Sequence, residues 1–354
     1  MDILTVGLSI VGLVLLVAGA RQLVHGASRL AAAAGVPPLI VGLTIVAFGT
    51  SAPELAVSVR SAWAGRADMA VGNVVGSNVF NVLFILGASA LLTPLVVAMD
   101  LVRRDVPLAI GASVLVLLLS LDGDIGRLDG ALLALGLVVY TSWLIVAARR
   151  ERSGDEAANA VAGERHTVWR DIGRVVVGLV LLVLGSTWLV DGAVAFARWF
   201  GVGEVVVSLT VVAAGTSLPE VATSLTAAAR GQRDIAVGNV VGSNLFNLLG
   251  VLGVSSLVSP SGLSVADSIV GFDLPVMIAA AIACLPIWAR GRTIPRWEGA
   301  LLLGYFVAYD AWLVLDATRH EAREGYTAVM LGFVLPLTGV VLTFVAWRTW
   351  ARRE

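Results

Sequence analysis

The sequence predicts an all-α polytopic membrane protein, built from two five-helix repeats of inverted topology with one extra helix at the C-terminus. Three observations carry that expectation. The 354 residues are 58% hydrophobic and 14% charged, with a mean hydropathy of +0.91, whereas an ordinary soluble domain is about 25% charged. Eleven apolar segments can be counted, each of about the length that crosses ~30 Å of hydrocarbon. The second half of the chain also repeats the first: Val41–Gly87 and Val207–Gly253, offset by 166, share 29 identities in 47 positions without a gap.

The apolar segments lie at roughly 3–30, 37–64, 69–92, 105–121, 127–148, 172–199, 204–229, 235–258, 270–289, 297–316 and 327–349. The first is too long for a secretory signal and has no clear cleavage site, so it is expected to be retained. Its sequence also belongs to the repeat, because "VLLVAGARQLVHG" from Val14 aligns with "VLLVLGSTWLVDG" from Val180. The stretch from Arg149 to Asp171 is charged and poor in large apolar residues, and it reads as a flexible linker. The expected organisation is therefore a first repeat over 1–148, a cytoplasmic linker over 149–171, a second repeat over 172–316 and an additional helix over 327–349. Five helices per repeat is an odd number, so the second copy enters the membrane from the opposite side. That architecture places substrate at the repeat interface, near the middle of the bilayer.

Positive charge orients the chain, because cytoplasmic loops retain it. Alternating the sides puts eighteen arginines on the face that carries the linker and the C-terminus, and six on the other. The N-terminus is thus expected outside and the C-terminus in the cytoplasm, with the protein in the cell (inner) membrane. A net charge of −1 and a pI near 6.3 give no basic nucleic-acid surface, and no phosphate-binding or zinc-type motif is present. Cys284 is the single cysteine, which excludes a disulfide framework or thiolate metal site. Lysine is absent; all 24 basic residues are arginine.

Two strings place an ionisable residue inside an apolar span: "TIVAFGTSAPEL" from Thr44 carries Glu54, and "TVVAAGTSLPEV" from Thr210 carries Glu220. Intramembrane carboxylates are costly and mark function by default; two copies related by inversion strengthen that reading. Ala47, Thr50, Ser51 and Glu54 step by three, four and seven along the second span, so they share one face. Pro53 cannot donate to the Gly49 carbonyl and should bend or break the helix there, freeing carbonyls that a cation can bind. Ala213, Thr216, Ser217, Glu220 and Pro219 repeat the pattern in the seventh span.

The third and eighth spans carry "VGNVVGSNVFN" from Val71 and "VGNVVGSNLFN" from Val237. Asn73, Ser77 and Asn81 step by four along one face, as do Asn239, Ser243 and Asn247. Four spans thus offer two carboxylates with hydroxyl, amide and carbonyl oxygens, the shell that hard cations such as calcium and sodium take. Gly72, Gly76, Gly238 and Gly242 read as small residues for close helix contact. Asn73 and Asn239 suit either an interhelical bond or a ligand. Asp68 and Asp234 read as N-caps, His25 and Asp191 as gate or interface residues, and Asp100, Asp105, Asp122, Asp124 and Asp129 as solvated. Asp273 and Asp310 have no partner identifiable from sequence.

The paired strings "GTSAPE" with "GNVVGSNVFN" and "GTSLPE" with "GNVVGSNLFN" resemble the alpha-repeats of the calcium/cation antiporter superfamily, in particular its sodium/calcium exchanger branch. The resemblance spans about Val14 to Leu315. It implies a ten-helix exchanger core with ions held between the second, third, seventh and eighth helices, and with the first and sixth, rich in Gly and Ala, as a sliding gate. By position it implies Glu54 and Glu220 as central calcium ligands, completed by Thr50, Ser51, Ser77 and Asn81 in one half and by Thr216, Ser217, Ser243 and Asn247 in the other. The carbonyls of Ala47 and Ala213 are implied for sodium. Many sodium/calcium exchangers carry Asp at the position of Asn247, so this site has two acidic ligands where those have three.

Two carboxylates balance one calcium, two sodium ions or two protons. The expectation is a secondary antiporter exchanging calcium against sodium by alternating access, with calcium/proton exchange as the alternative. An intramembrane lipid-phosphate hydrolase using Ser51 or Ser217 is a remote alternative, since no histidine accompanies either serine as base; a passive channel would lack coupling. No resident cofactor is expected. The expected partners are the transported cations and the lipid bilayer, with oligomeric state left open.

Overall fold

The computed structural model describes residues 3–151, 168–200, 213–289 and 293–339. Most of the expected linker, the first part of the seventh span, Arg290, Arg292 and the end of the last span lie outside those residues.

The helices follow the apolar segments. α1 is Ile3–Ala34; α2 joins Pro38–Thr50 to Ala52–Trp63 across a bend of 45°; α3 is Ala67–Leu92. α4 covers 101–119, α5 is Arg127–Glu151 and α6 is Val168–Trp199. The described part of α7 is Ala213–Thr216 followed by Leu218–Ala229. α8 is Arg233–Val258, α9 covers 269–289, α10 is Arg296–Ala317 and α11 covers 322–339. Helix therefore intrudes on both ends of the charged 149–171 stretch, because α5 runs on to Glu151 and α6 begins at Val168. Six described helices are long and apolar enough to cross a membrane, or seven when the bent pair counts as one.

Four two-residue strands lie in the connections: β1 Leu95–Val96, β2 Asp124–Ile125, β3 Leu263–Ser264 and β4 Thr293–Ile294. β1 pairs antiparallel with β4 and β2 with β3. Each ribbon joins a loop of one half to a loop of the other, and the two ribbons sit at opposite ends of α4. The connections that the repeat equates thus exchange partners, as a two-fold axis across the membrane plane requires.

α3 and α8 form the centre. The most apolar stretch of α8 is 100% buried and that of α3 78%, against 22% for α1 and α5 and 11% for α10. The peripheral helices expose apolar side chains such as Val138, Val139, Val176 and Val177, which suits a lipid rather than an aqueous surround. α5 crosses to pack on α8, and α10 on α3. Both crossings are glycine contacts: a Cβ at Gly253 would lie 3.0 Å from the Gly130 carbonyl oxygen, and one at Gly87 2.9 Å from that of Gly299.

α1 and α6 pack antiparallel along their length. Gly12, Gly19 and Gly26 recur every seven residues, as do Gly178, Gly185 and Gly192. A Cβ at Gly19 would meet the Gly178 carbonyl oxygen at 2.8 Å, and one at Gly12 the Gly185 oxygen at 2.8 Å. The backbones touch because no side chain intervenes. Buried Asp171 closes one end of this pair, ion-paired with Arg29 at 3.5 Å and Arg174 at 2.7 Å.

Several polar expectations are corrected. Asp105 is buried and accepts a hydrogen bond from Tyr140 Oη (3.1 Å), linking α4 to α5. Asp273, for which sequence offered no partner, accepts one from Tyr309 Oη (2.7 Å), linking α9 to α10. A carboxylate beside an apolar run looks solvated in sequence, but here it is needed as an acceptor for a buried tyrosine. Asp68 and Asp234 are not N-caps: the cap positions are Arg66 and Gln232, neither helix has a side-chain cap bond, and the aspartates lie in the first turn, where they face the positive end of the helix dipole.

Candidate cation site

The site grows from two broken helices. Ser51 leaves helical geometry at φ −83°, ψ 9° and Ser217 at φ −88°, ψ 7°, each two residues before a proline that lacks an amide hydrogen. The expected breaks at Pro53 and Pro219 thus appear at the preceding serines. The Ala47 carbonyl still accepts the Ser51 amide hydrogen at 3.0 Å, with the Thr50 hydroxyl oxygen 3.4 Å away, so it is an engaged acceptor rather than a bare one. Of Ala213 only the backbone is described, at the start of the α7 segment.

Across the breaks the two halves exchange hydrogen bonds. Ser51 Oγ donates to Glu220 Oε1 and Ser217 Oγ to Glu54 Oε1, each at 2.9 Å. Ser217 Oγ also lies 3.2 Å from Ser77 Oγ. Thr50 Oγ1 donates to Asn239 Oδ1 (3.1 Å) and Thr216 Oγ1 to Asn73 Oδ1 (3.4 Å). Asn73 and Asn239, left open by sequence, are therefore bridging residues: their Nδ2 groups donate in turn to Ser58 Oγ (3.0 Å) and Ser224 Oγ (2.9 Å).

Glu54 and Glu220 are both 0% exposed. One oxygen of each is held by a serine; the other, Oε2, has no hydrogen-bond partner among the described residues. Asn81 Oδ1, Asn247 Oδ1 and Ser243 Oγ are likewise buried and without a donor. A buried acceptor left bare costs stability, and five of them are concentrated on residues that the sequence nominated as one cage. Thr223 Oγ1, one turn beyond Glu220, is a further such oxygen; the first half has Val57 there, so the repeat could not have nominated it.

The remaining nominations separate by place. Gly238 and Gly242 make the expected close contact with α2, a Cβ at Gly242 lying 2.7 Å from the Leu43 carbonyl oxygen. The repeat places the corresponding partners of Gly72 and Gly76 in 205–209, outside the described residues. His25 and Asp191 are exposed on α1 and α6. Sequence reasoning passed over Asn78 and Asn244, buried neighbours of Ser77 and Ser243. Each bonds to the other half, and their presence in both copies of the repeated string was the available signal.

The family model for sodium/calcium exchanger protein matches residues 4–146 and 171–315. The chain belongs to that family. The exchanger is 36% identical over 318 residues to inner membrane protein YrbG of Escherichia coli, covering 88% of this chain and 97% of that one. It is 33% identical over 336 residues to the sodium/calcium exchanger MaX1 of Methanosarcina acetivorans, with 85% and 95% covered. Its structure matches that of the sodium-calcium exchanger NCX_Mj with a TM-score of 0.75 at 29% identity, covering 88% of this chain and 99% of that one. The exchanger is a helical multi-pass membrane protein and a cation antiporter by family.

Proposed function

We propose that the exchanger carries calcium in exchange for sodium by alternating access, with both ions bound among Glu54, Glu220, Thr50, Thr216, Ser51, Ser217, Ser77, Ser243, Asn81, Asn247 and the carbonyls of Ala47 and Ala213. One observation carries this reading: the bare buried oxygens of Glu54, Glu220, Asn81, Asn247 and Ser243. Protons alone need only the carboxylates. Amide and hydroxyl oxygens added around them are the donor set of a hard metal cation. The sodium and calcium named for MaX1 and NCX_Mj support the same pair of ions.

Charge supplies the coupling. Two carboxylates are neutralised by one calcium or by two sodium ions, and an empty site would move two uncompensated charges through a low-dielectric core, which opposes leak. α1 and α6, joined through their glycines, form the gate beside the broken α2 and α7. The arginine asymmetry supports an N-terminus outside and a C-terminus in the cytoplasm, with the chain in the inner membrane.

Proteoliposomes test the reading. Calcium uptake should follow an outward-directed sodium gradient, and Glu54→Gln should abolish it. Uptake driven by a proton gradient but not by sodium would reassign the counter-ion; no calcium movement under either gradient, with Glu54→Gln behaving as the parent, would reject exchange.

A further inference from the structure

We propose that Asn78 and Asn244 are positioning residues that set which end of the Asn247 and Asn81 amides faces the transported cations. The inference rests on the cation cage described above.

A side-chain amide is nearly symmetric in shape but opposite in polarity at its two ends. A cage for cations therefore needs something that holds the oxygen inward. Asn78 Nδ2 donates to the backbone carbonyl of Asn244 (3.2 Å), and Asn244 Nδ2 to that of Asn78 (3.5 Å). A backbone carbonyl only accepts, so neither amide can turn over without losing its bond. That leaves each Oδ1 as an acceptor. Asn247 Nδ2 donates to Asn78 Oδ1 (3.1 Å), and Asn81 Nδ2 donates to Asn244 Oδ1 (2.9 Å). With their NH2 groups held, Asn247 and Asn81 present Oδ1, and those two oxygens are buried and without a donor.

The four bonds run between the halves and repeat each other at an offset of 166. Asn78 is 0% exposed and Asn244 8%, so the bridge is buried away from solvent in this conformation. The same geometry favours an amide at 247: Asn78 Oδ1 offers a lone pair, and an ionised carboxylate there would have no proton to give. The bridge thus keeps the acidic ligands at Glu54 and Glu220 alone.

Calcium uptake by purified full-length variants in proteoliposomes, read as KM and maximal rate, tests the assignment through selective coupling. Asn78→Leu should raise the calcium KM roughly tenfold, in the range found when partners of metal ligands are removed, with the maximal rate largely kept. Placed on Asn247→Ala it should add less than about twofold, and placed on Asn81→Ala it should keep its full effect, as non-additivity follows direct contact. Asn244→Leu should show the mirror pattern, silent on Asn81→Ala and additive on Asn247→Ala. Should Asn78→Leu fail to fold, Asn78→Ser, too short to reach Asn247, takes its place in the same cycle.

Equal effects in both backgrounds, a lower maximal rate with KM unchanged, or an Asn247→Ala that leaves KM unchanged would overturn the assignment. The two readings fail separately. Absence of calcium exchange in the parent removes the proposed function, whereas exchange in the parent without selective coupling removes only the role of Asn78 and Asn244.

Discussion

Glu54 and Glu220 each keep one oxygen on a serine of the opposite half and one oxygen bare. On the proposed ligation, cations and protons compete for the same lone pairs. Acidification should therefore raise the calcium concentration needed for half-maximal uptake while the maximal rate holds, a dependence read from uptake at stepped external pH; a KM flat in pH would argue against carboxylate ligation. Tyr140 serves a different purpose. Its hydroxyl holds Asp105 Oδ1 while Oδ2 already lacks a partner, so Tyr140→Phe should cost about 1 kcal/mol of stability, as buried polar bonds in membrane proteins do, seen as a lower Tm with an unchanged calcium KM. At this scale the glutamates, serines and threonines were legible because each occurs twice at the same spacing beside a proline. Asn78 was not, because it lies one position beyond Ser77 and so about 100° around the helix from the face of Asn73, Ser77 and Asn81. Its importance depends on how α3 and α8 approach each other.

Helices here are defined as much by their interruptions as by their apolar runs. Pro53 and Pro219 announce the breaks in α2 and α7. Nothing in the sequence announces the π-helical turns at Gly42–Val46, Asn81–Ile85 and Phe246–Val251, which place Asn81 and Asn247 in wide turns, a feature often found at functional sites. The heptad glycines of α1 and α6 lie between these views: the spacing is readable, its partner is not. A side chain at Gly19 or Gly178 must push two backbones apart, and Gly178 is already 2.9 Å from the Gly19 oxygen at the Cβ position. Gly19→Val should destabilise by about 1–3 kcal/mol, as overpacking does, and slow turnover without changing calcium KM. Uptake kinetics beside a thermal melt would show it; a normal turnover would mean that the gate does not depend on this contact.

The two halves are interlocked. α5 leaves the first half to pack on α8, α10 leaves the second to pack on α3, and both ribbons join one half to the other. The serine–glutamate, threonine–asparagine and asparagine–asparagine bonds of the cage also run between halves. Neither half can supply the bonds of the central serines, threonines and asparagines by itself, so residues 1–151 expressed alone should aggregate in detergent on size-exclusion chromatography. A monodisperse helical first half would contradict that dependence.

Membrane class, duplication, its inversion and the oxygen-donor character of the proposed site are all readable from the order of residues. Composition, helix length and an odd helix count are local or arithmetic properties, and they need no knowledge of what touches what. Helix packing is what makes Ser51 serve Glu220 rather than Glu54, buries Asp105 against Tyr140, and brings Asn78 and Asn244 to the amides of the opposite half. Those are contacts between residues far apart in the chain. Periodicity within one helix specifies which face a residue occupies; the packing of a second helix against that face specifies its partner.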